Sequence, residues 1–186
     1  MLDTLKEALP TYAKDLKLNL SSLLREEKLN PVRRYGAALA AAYASKNFKV
    51  IETVSAEAKQ YLELSDIENV KAANAMMGMT NIYYRFLHMA NDAEYGRMAA
   101  GLRMQIIGKP PADKVNFELY SLVVSAVNGC EFCVAAHDVE LKKAGLSREE
   151  IQASIRIAAT IHAIAGVVDV EAVDAAAIAE EKSKAA

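Results

Sequence analysis

At 186 residues the chain is long enough for one domain with a substantial core, or for two small ones. Its 22 basic and 24 acidic residues nearly cancel, to a net charge of −2, and no Lys/Arg cluster marks a nucleic-acid or membrane surface. Asp3 and Glu7 stand where a signal peptide needs basic and then apolar residues, and the apolar run 157–168 is too short to span a bilayer, so a cytoplasmic chain without a membrane segment is expected.

Abundant Ala, Leu, Glu and Lys, only 8 Gly and 4 Pro, and no alternating strand pattern predict an all-α fold. Leu2, Leu5, Leu9, Tyr12 and Leu16 approximate one helical face, interrupted at Pro10, which starts or kinks a helix. Asn30-Pro31 reads as an N-cap with proline at the first helical position. The helix it opens crosses the alanine-rich stretch 36–44, whose small residues allow close helix approach, and another helix covers about 48–62. Leu64-Ser65-Asp66-Ile67-Glu68 has the serine-to-glutamate spacing of a capping box. Behind it, Val70, Ala73, Met76, Met77 and Thr80 should face inward, the methionines as core filler. A loop is expected at 91–96 and a break at Pro110-Pro111, followed by helices at about 113–128 and 131–143. Leu146-Ser147-Arg148-Glu149-Glu150 is a second capping box, opening an apolar helix to about Gly166, and a last helix runs to the C-terminus.

The two capping boxes share Leu-Ser-x-x-Glu, and residues 35–41 resemble 120–126 at a similar offset. One multi-helix unit therefore reads as duplicated and degenerate, within a single domain over 1–186: a scaffold half at about 1–90 and a catalytic half at about 91–186. In that alignment Ser45 and Phe48 stand where Cys130 and Cys133 stand.

Asn128-Gly129-Cys130-Glu131-Phe132-Cys133-Val134-Ala135-Ala136-His137 holds both cysteines and one of three histidines. Asn128-Gly129 breaks one helix, so Cys130 should sit at the N-terminus of the next, where free N–H groups and the helix dipole favour a thiolate. Cys133 lies one turn further on, and His137, four residues beyond it, shares its face. Two cysteines at this spacing support three readings. Inert buried thiols make the spacing a coincidence. A metal site needs about four ligands, for which Glu118 or His162 would have to join Cys130, Cys133 and His137 on what is mostly one helix. A redox dithiol with a nearby base needs only what is visible. Glu118, in the preceding helix among apolar neighbours, reads either as a surface carboxylate or as a buried one needing His137 as its partner. His88 and His162 lack such a setting.

Glu118 followed by Cys130-x-x-Cys133-x-x-x-His137 resembles the signature of the AhpD alkyl hydroperoxidases, within the carboxymuconolactone decarboxylase-like superfamily. Leu18-Asn19-Leu20-Ser21-Ser22, Met77-Gly78-Met79-Thr80-Asn81, Gly101-Leu102-Arg103-Met104 and Asn116-Phe117-Glu118-Leu119 extend the resemblance over nearly the whole chain. The resemblance implies an all-α fold of two related helical halves assembled as a homotrimer. It implies thiol-dependent reduction of organic hydroperoxides, with Glu118, Cys130, Cys133 and His137 as the acting residues. No cofactor or metal is expected beyond an external dithiol, such as dihydrolipoamide or a lipoyl domain. It implies two protein partners: a lipoylated dihydrolipoamide acyltransferase that gives electrons and the peroxiredoxin AhpC that takes them. Other classes compatible with the sequence are a redox adaptor with little peroxidase activity and a non-redox decarboxylase-like or binding domain. The chain departs from the pattern at Phe132, where a histidine precedes the second cysteine in relatives. A phenyl ring relays no proton and disfavours a thiolate by desolvation, so a slower peroxidase preferring bulky apolar hydroperoxides is expected.

In the expected mechanism Glu118 orients His137, which directly or through a water promotes the Cys133 thiolate. Cys133 attacks the peroxide and Cys130 resolves the sulfenic acid to a disulfide. The helix-terminal position marks Cys130 as the more accessible thiol and the one a reductant attacks.

Overall fold

The chain runs through α1 (Leu2–Ala8), a 3-10 turn (Thr11–Ala13), α2 (Lys14–Leu23), α3 (Pro31–Ser45), α4 (Phe48–Ala58) and α5 (Leu64–Met89). Then come the short α6 (Ala93–Arg97) and α7 (Gln105–Gly108), followed by α8 (Lys114–Val127), α9 (Glu131–Lys143) and α10 (Arg148–Lys184). This computed structural model describes residues 2–23 and 25–184, with side chains to 177, and no strand occurs among them. The all-α expectation holds.

The helix starts follow from local chemistry. The Asn30 side chain accepts from Arg33 N at 2.9 Å ahead of Pro31, and Asp113 accepts from Asn116 N at 2.8 Å. Ser147 and Glu150 form the expected reciprocal box: Glu150 N donates to Ser147 Oγ at 3.2 Å and Ser147 N to Glu150 Oε2 at 2.9 Å. The other box is displaced. Glu63 is the N-cap of α5, and its N–H donates to Asp66 Oδ2 at 3.2 Å, so Ser65 and Glu68 lie inside the helix. An acid one residue past Ser65 takes the capping role because Leu64 already has helical backbone.

Four further expectations change. Pro10 breaks the N-terminal helix into α1 and α2, so Leu2, Leu5 and Leu9 are buried but Tyr12 is exposed, reaching Glu171 Oε1 at 2.7 Å. The helix after Phe48 ends at Ala58, with a turn to Tyr61. Residues 91–96 are not wholly a loop: Asp92 caps Glu94 N at 2.9 Å and nucleates α6. Gly166 does not end a helix. A single glycine costs only about 1 kcal/mol against alanine, and Ile164 and Ala165 are buried beside it while Val167 and Val168 pack on the core. α10 therefore runs unbroken to Lys184, and residues 185–186 lie outside the described part.

α3 and α8 form the centre. α10 lies along α3, α3 against α8, and α8 also packs on α5 and α9. Gly36 permits the α3–α8 approach, since a Cβ there would collide with the Tyr120 ring, and Tyr120 Oη donates to Val32 O at 3.2 Å. Arg33 ties three helices, with Nε on Asn116 Oδ1 at 3.0 Å and Nη1 on Glu150 Oε1 at 3.2 Å. Arg148–Ala177 is long and apolar enough by composition to cross a membrane, but half of its apolar window is buried against these neighbours, as in a core helix.

The order helix, short helix, capped long helix occurs twice. The starts of α8 and α9 follow those of α3 and α4 by 83 residues each (114 − 31 and 131 − 48). At that offset Cys130 corresponds to Asn47 and Cys133 to Val50. The pairing of the cysteines with Ser45 and Phe48 thus moves by two residues, because N-cap falls on N-cap.

Candidate active site

Asn128 closes α8 and Gly129 turns the chain with φ +70°, a left-handed conformation that glycine adopts without a Cβ penalty. Cys130 N donates back to Ser125 O at 3.0 Å, so the turn is hydrogen-bonded to α8. Cys130 is then the N-cap of α9, as its place after the glycine predicts, and its Sγ accepts from Cys133 N at 3.4 Å. One helical turn separates the two Cα atoms by 5.3 Å, within bridging range, and the sulfurs are joined as a disulfide.

Cys130 is only 1% exposed and Cys133 5%. The expectation that Cys130 would be the more open thiol is not met in the disulfide. A shallow hollow on the outer face of α9, lined by Gly129, Cys130, Glu131, Val134, Ala135 and Asp138, still reaches Cys130 and not Cys133.

Glu118 is 8% exposed and His137 9%. They meet across the α8–α9 interface, with His137 Nδ1 2.6 Å from Glu118 Oε2. The buried-partner alternative for Glu118 is therefore the one the fold adopts. A buried carboxylate is tolerated because the imidazole supplies the hydrogen bond it lost from water. The other ring nitrogen, Nε2, lies 3.2 Å from Met77 Sδ on α5. Glu118 and His137 thus pair across the α8–α9 interface, closed by α5, and His137 follows Cys133 of the disulfide by one turn of α9.

Met77 is the residue that sequence reasoning missed. Its spacing placed it correctly on the inner face, but a core position does not reveal that its sulfur meets the His137 imidazole. Asn81, one turn on, is equally buried. It donates to Ser125 Oγ at 3.0 Å and accepts from Asn128 Nδ2 at 3.0 Å, and Arg85 Nη1 donates to Asn128 O at 2.6 Å. α5 therefore holds both the His137 imidazole and the turn that carries Cys130.

The remaining histidines lie apart from this pair. His162 Nδ1 is 3.1 Å from Ser45 Oγ, between α10 and α3, so it does not join the cysteines as a fourth ligand. His88 is exposed, 3.8 Å from Glu131 Oε2. Phe132 is 55% exposed and stacks on Tyr84, with ring centroids 5.3 Å apart.

Residues 93–181 match the carboxymuconolactone decarboxylase family. The chain is 50% identical over 171 residues to the alkyl hydroperoxide reductase AhpD of Rhodospirillum centenum, covering 92% of each chain. It is 49% identical over 170 residues to the protein of that name from Maricaulis maris, covering 91% of this chain and 98% of the relative. It is also 49% identical over 174 residues to that of Coxiella burnetii, covering 92% and 98%. With these similarities spanning nearly all of its length and the dithiol junction intact, the chain belongs to the AhpD family of alkyl hydroperoxide reductases.

Proposed function

We propose that the protein reduces organic hydroperoxides through a dithiol–disulfide cycle at Cys133 and Cys130. The observation that carries this reading is the disulfide at the N-terminus of α9, with His137, paired to the buried Glu118, one helical turn beyond Cys133. Glu118 orients the imidazole, and His137 promotes the Cys133 thiolate from the same helix face. The thiolate attacks one peroxide oxygen, the O–O bond breaks, and the alkoxide takes a proton to leave as an alcohol. Cys133, now a sulfenic acid, is attacked by Cys130 with loss of water, giving the disulfide. A dithiol such as dihydrolipoamide, free or on the lipoyl domain of a dihydrolipoamide acyltransferase, enters at the hollow beside Cys130 and reduces it by exchange. The same exchange chemistry suits electron delivery to an AhpC-type peroxiredoxin.

This proposal also takes residues 1–90 as a scaffold half and 91–186 as the catalytic half of a degenerate repeat, in a cytoplasmic homotrimer. Support for assembly comes from the segment 82–102, which leaves Ile82, Phe86, Met89, Tyr95 and Met98 exposed, more apolar surface than an isolated chain readily carries.

Titration of free thiols before and after one equivalent of cumene hydroperoxide tests the cycle. Loss of both thiols with no inter-chain bond is expected. A stable sulfinic acid on one cysteine alone would remove Cys130 from the resolving role. Turnover with dihydrolipoamide in the absence of AhpC separates a peroxidase from an adaptor that only shuttles electrons.

A further inference from the structure

A thioether sulfur has lone pairs and no hydrogen to give, so it only accepts. Met77 Sδ lies 3.2 Å from His137 Nε2, with both side chains buried. A bare nitrogen lone pair at that distance would face sulfur lone pairs with nothing between them. Nε2 therefore carries a hydrogen. On the other side of the ring, Nδ1 is 2.6 Å from Glu118 Oε2. Two lone pairs do not approach so closely in a dry site, so a second hydrogen lies between them.

We infer that Met77 is a positioning residue for His137: its sulfur receives the Nε2 hydrogen and so keeps a further proton on the buried Glu118–His137 pair while the cysteines are joined. The inference rests on the reading of the dithiol as the reacting centre and specifies where the proton is held. The alternative, Nε2 bare and Nδ1–H facing a carboxylate, would leave one net negative charge buried without compensation. With both hydrogens present the pair is neutral overall, whether written as imidazolium and carboxylate or as imidazole and carboxylic acid.

Neighbouring groups fit this arrangement. Thr80 Oγ1 and Asn81 Nδ2 each approach the same sulfur at 3.6 Å and fix its orientation. Facing the imidazole, α8 contributes the acid Glu118 and α5 the uncharged Met77. On α9 itself the exposed Glu140 adds a favourable charge one turn beyond, and among the described residues α10 gives the ring no hydrogen bond or ion pair.

The test is nitrogen-15 NMR of the His137 imidazole in the disulfide form at pH 7. In the parent, Nε2 should carry a hydrogen that exchanges slowly with solvent. Met77→Leu nearly conserves volume but removes the acceptor, and that hydrogen should exchange about ten-fold faster. Met77→Gln restores an acceptor oxygen and should bring the slow exchange back. Equal exchange in parent and variants, or a bare Nε2 in the parent, would overturn the inference. If Met77→Leu fails to fold, the parent spectrum and Met77→Gln still decide. Because the readout uses the disulfide protein and no peroxide, it stands apart from the thiol titration above, whose failure would sink the peroxidase reading alone.

Discussion

The α3–α4 pair and the α8–α9 pair share an architecture and differ in chemistry. At the 83-residue offset of the helix starts, Tyr35, Asn47, Val50 and Val54 occupy the positions of Glu118, Cys130, Cys133 and His137. All eight side chains are buried. In the first pair the Asn47 oxygen accepts from Val50 N at 2.8 Å, an ordinary amide cap. In the second the acceptor is a sulfur at 3.4 Å. Tyr35 stacks on Tyr61, centroids 3.8 Å apart, and burial together with that neighbour pushes its phenol pKa up, so it stays neutral. Glu118, at the same register, is a carboxylic group that must share a proton or find a counter-charge. Four exchanges at matched positions thus separate the α3–α4 pair from the pair that carries the disulfide, the imidazole and the buried acid. The helix-capping geometry that stabilises α4 also presents a thiol at the N-terminus of α9.

Copying the first pair into the second should break the function in graded steps. Cys133→Val, which installs the residue of the inert pair, should reduce hydroperoxide turnover to background while helicity by circular dichroism is retained, since valine suits a buried helical site of that size. Retained turnover would show that the reacting sulfur is Cys130. His137→Phe removes the base and should slow the peroxidase step by about 10²–10⁴-fold. It also leaves Glu118 buried without its imidazole, so a lowered melting temperature should accompany the slower rate. Glu118→Gln should cost less than His137→Phe, because an amide oxygen still orients the ring. Equal rates for parent and His137→Phe across pH 6–9 would remove the histidine from the mechanism.

The caps give a smaller, opposite pair of effects. Asn47→Ala should destabilise the fold by about 1 kcal/mol and leave peroxidase activity unchanged. Cys130→Asn exchanges the weak sulfur acceptor for a strong one. It should hold or raise the melting temperature while abolishing the disulfide and the resolving step. Melting curves and thiol counts on the same two variants check both halves of the comparison. A cap variant in α4 that altered turnover would mean that α4 reaches the site through α3 or α10.

Much of this was legible in the sequence because it is local. Asn30-Pro31, Ser147 with Glu150, and Gly129 before Cys130 each act within a few residues, and each produced the expected helix end. Glu118 was ambiguous for the opposite reason: whether a carboxylate is buried depends on a helix 19 residues further on. Met77 was assigned to the core and is there, but its contact with His137 joins α5 to α9 across 60 residues of chain, which no periodicity encodes. Tyr12 was misplaced because Pro10 resets the helical phase, and Gly166 because packing on both sides outweighs one weak helix former.

Phe132 carries the smallest expected effect. It precedes Cys133 in the first turn of α9, and its ring turns outward onto Tyr84, whose Oη lies 4.0 Å from Met104 Sδ. The ring therefore stands at the surface as one wall of an apolar ridge beside the dithiol helix. It has no proton to give a leaving alkoxide, and as an apolar wall it should favour the alkyl or aryl part of a hydroperoxide over hydrogen peroxide. Because more than half of the ring is exposed, the discrimination it supplies should stay below about ten-fold, less than a closed pocket yields for a similar group. Phe132→His should lower the ratio of cumene hydroperoxide to hydrogen peroxide turnover and raise the rate near neutral pH. Both cysteines should remain necessary. Steady-state rates with the two peroxides and one dithiol donor, for parent and variant, measure this directly. Unchanged rates with an unchanged ratio would show that the ridge takes no part in substrate choice and that the departure at Phe132 concerns only contact with another surface.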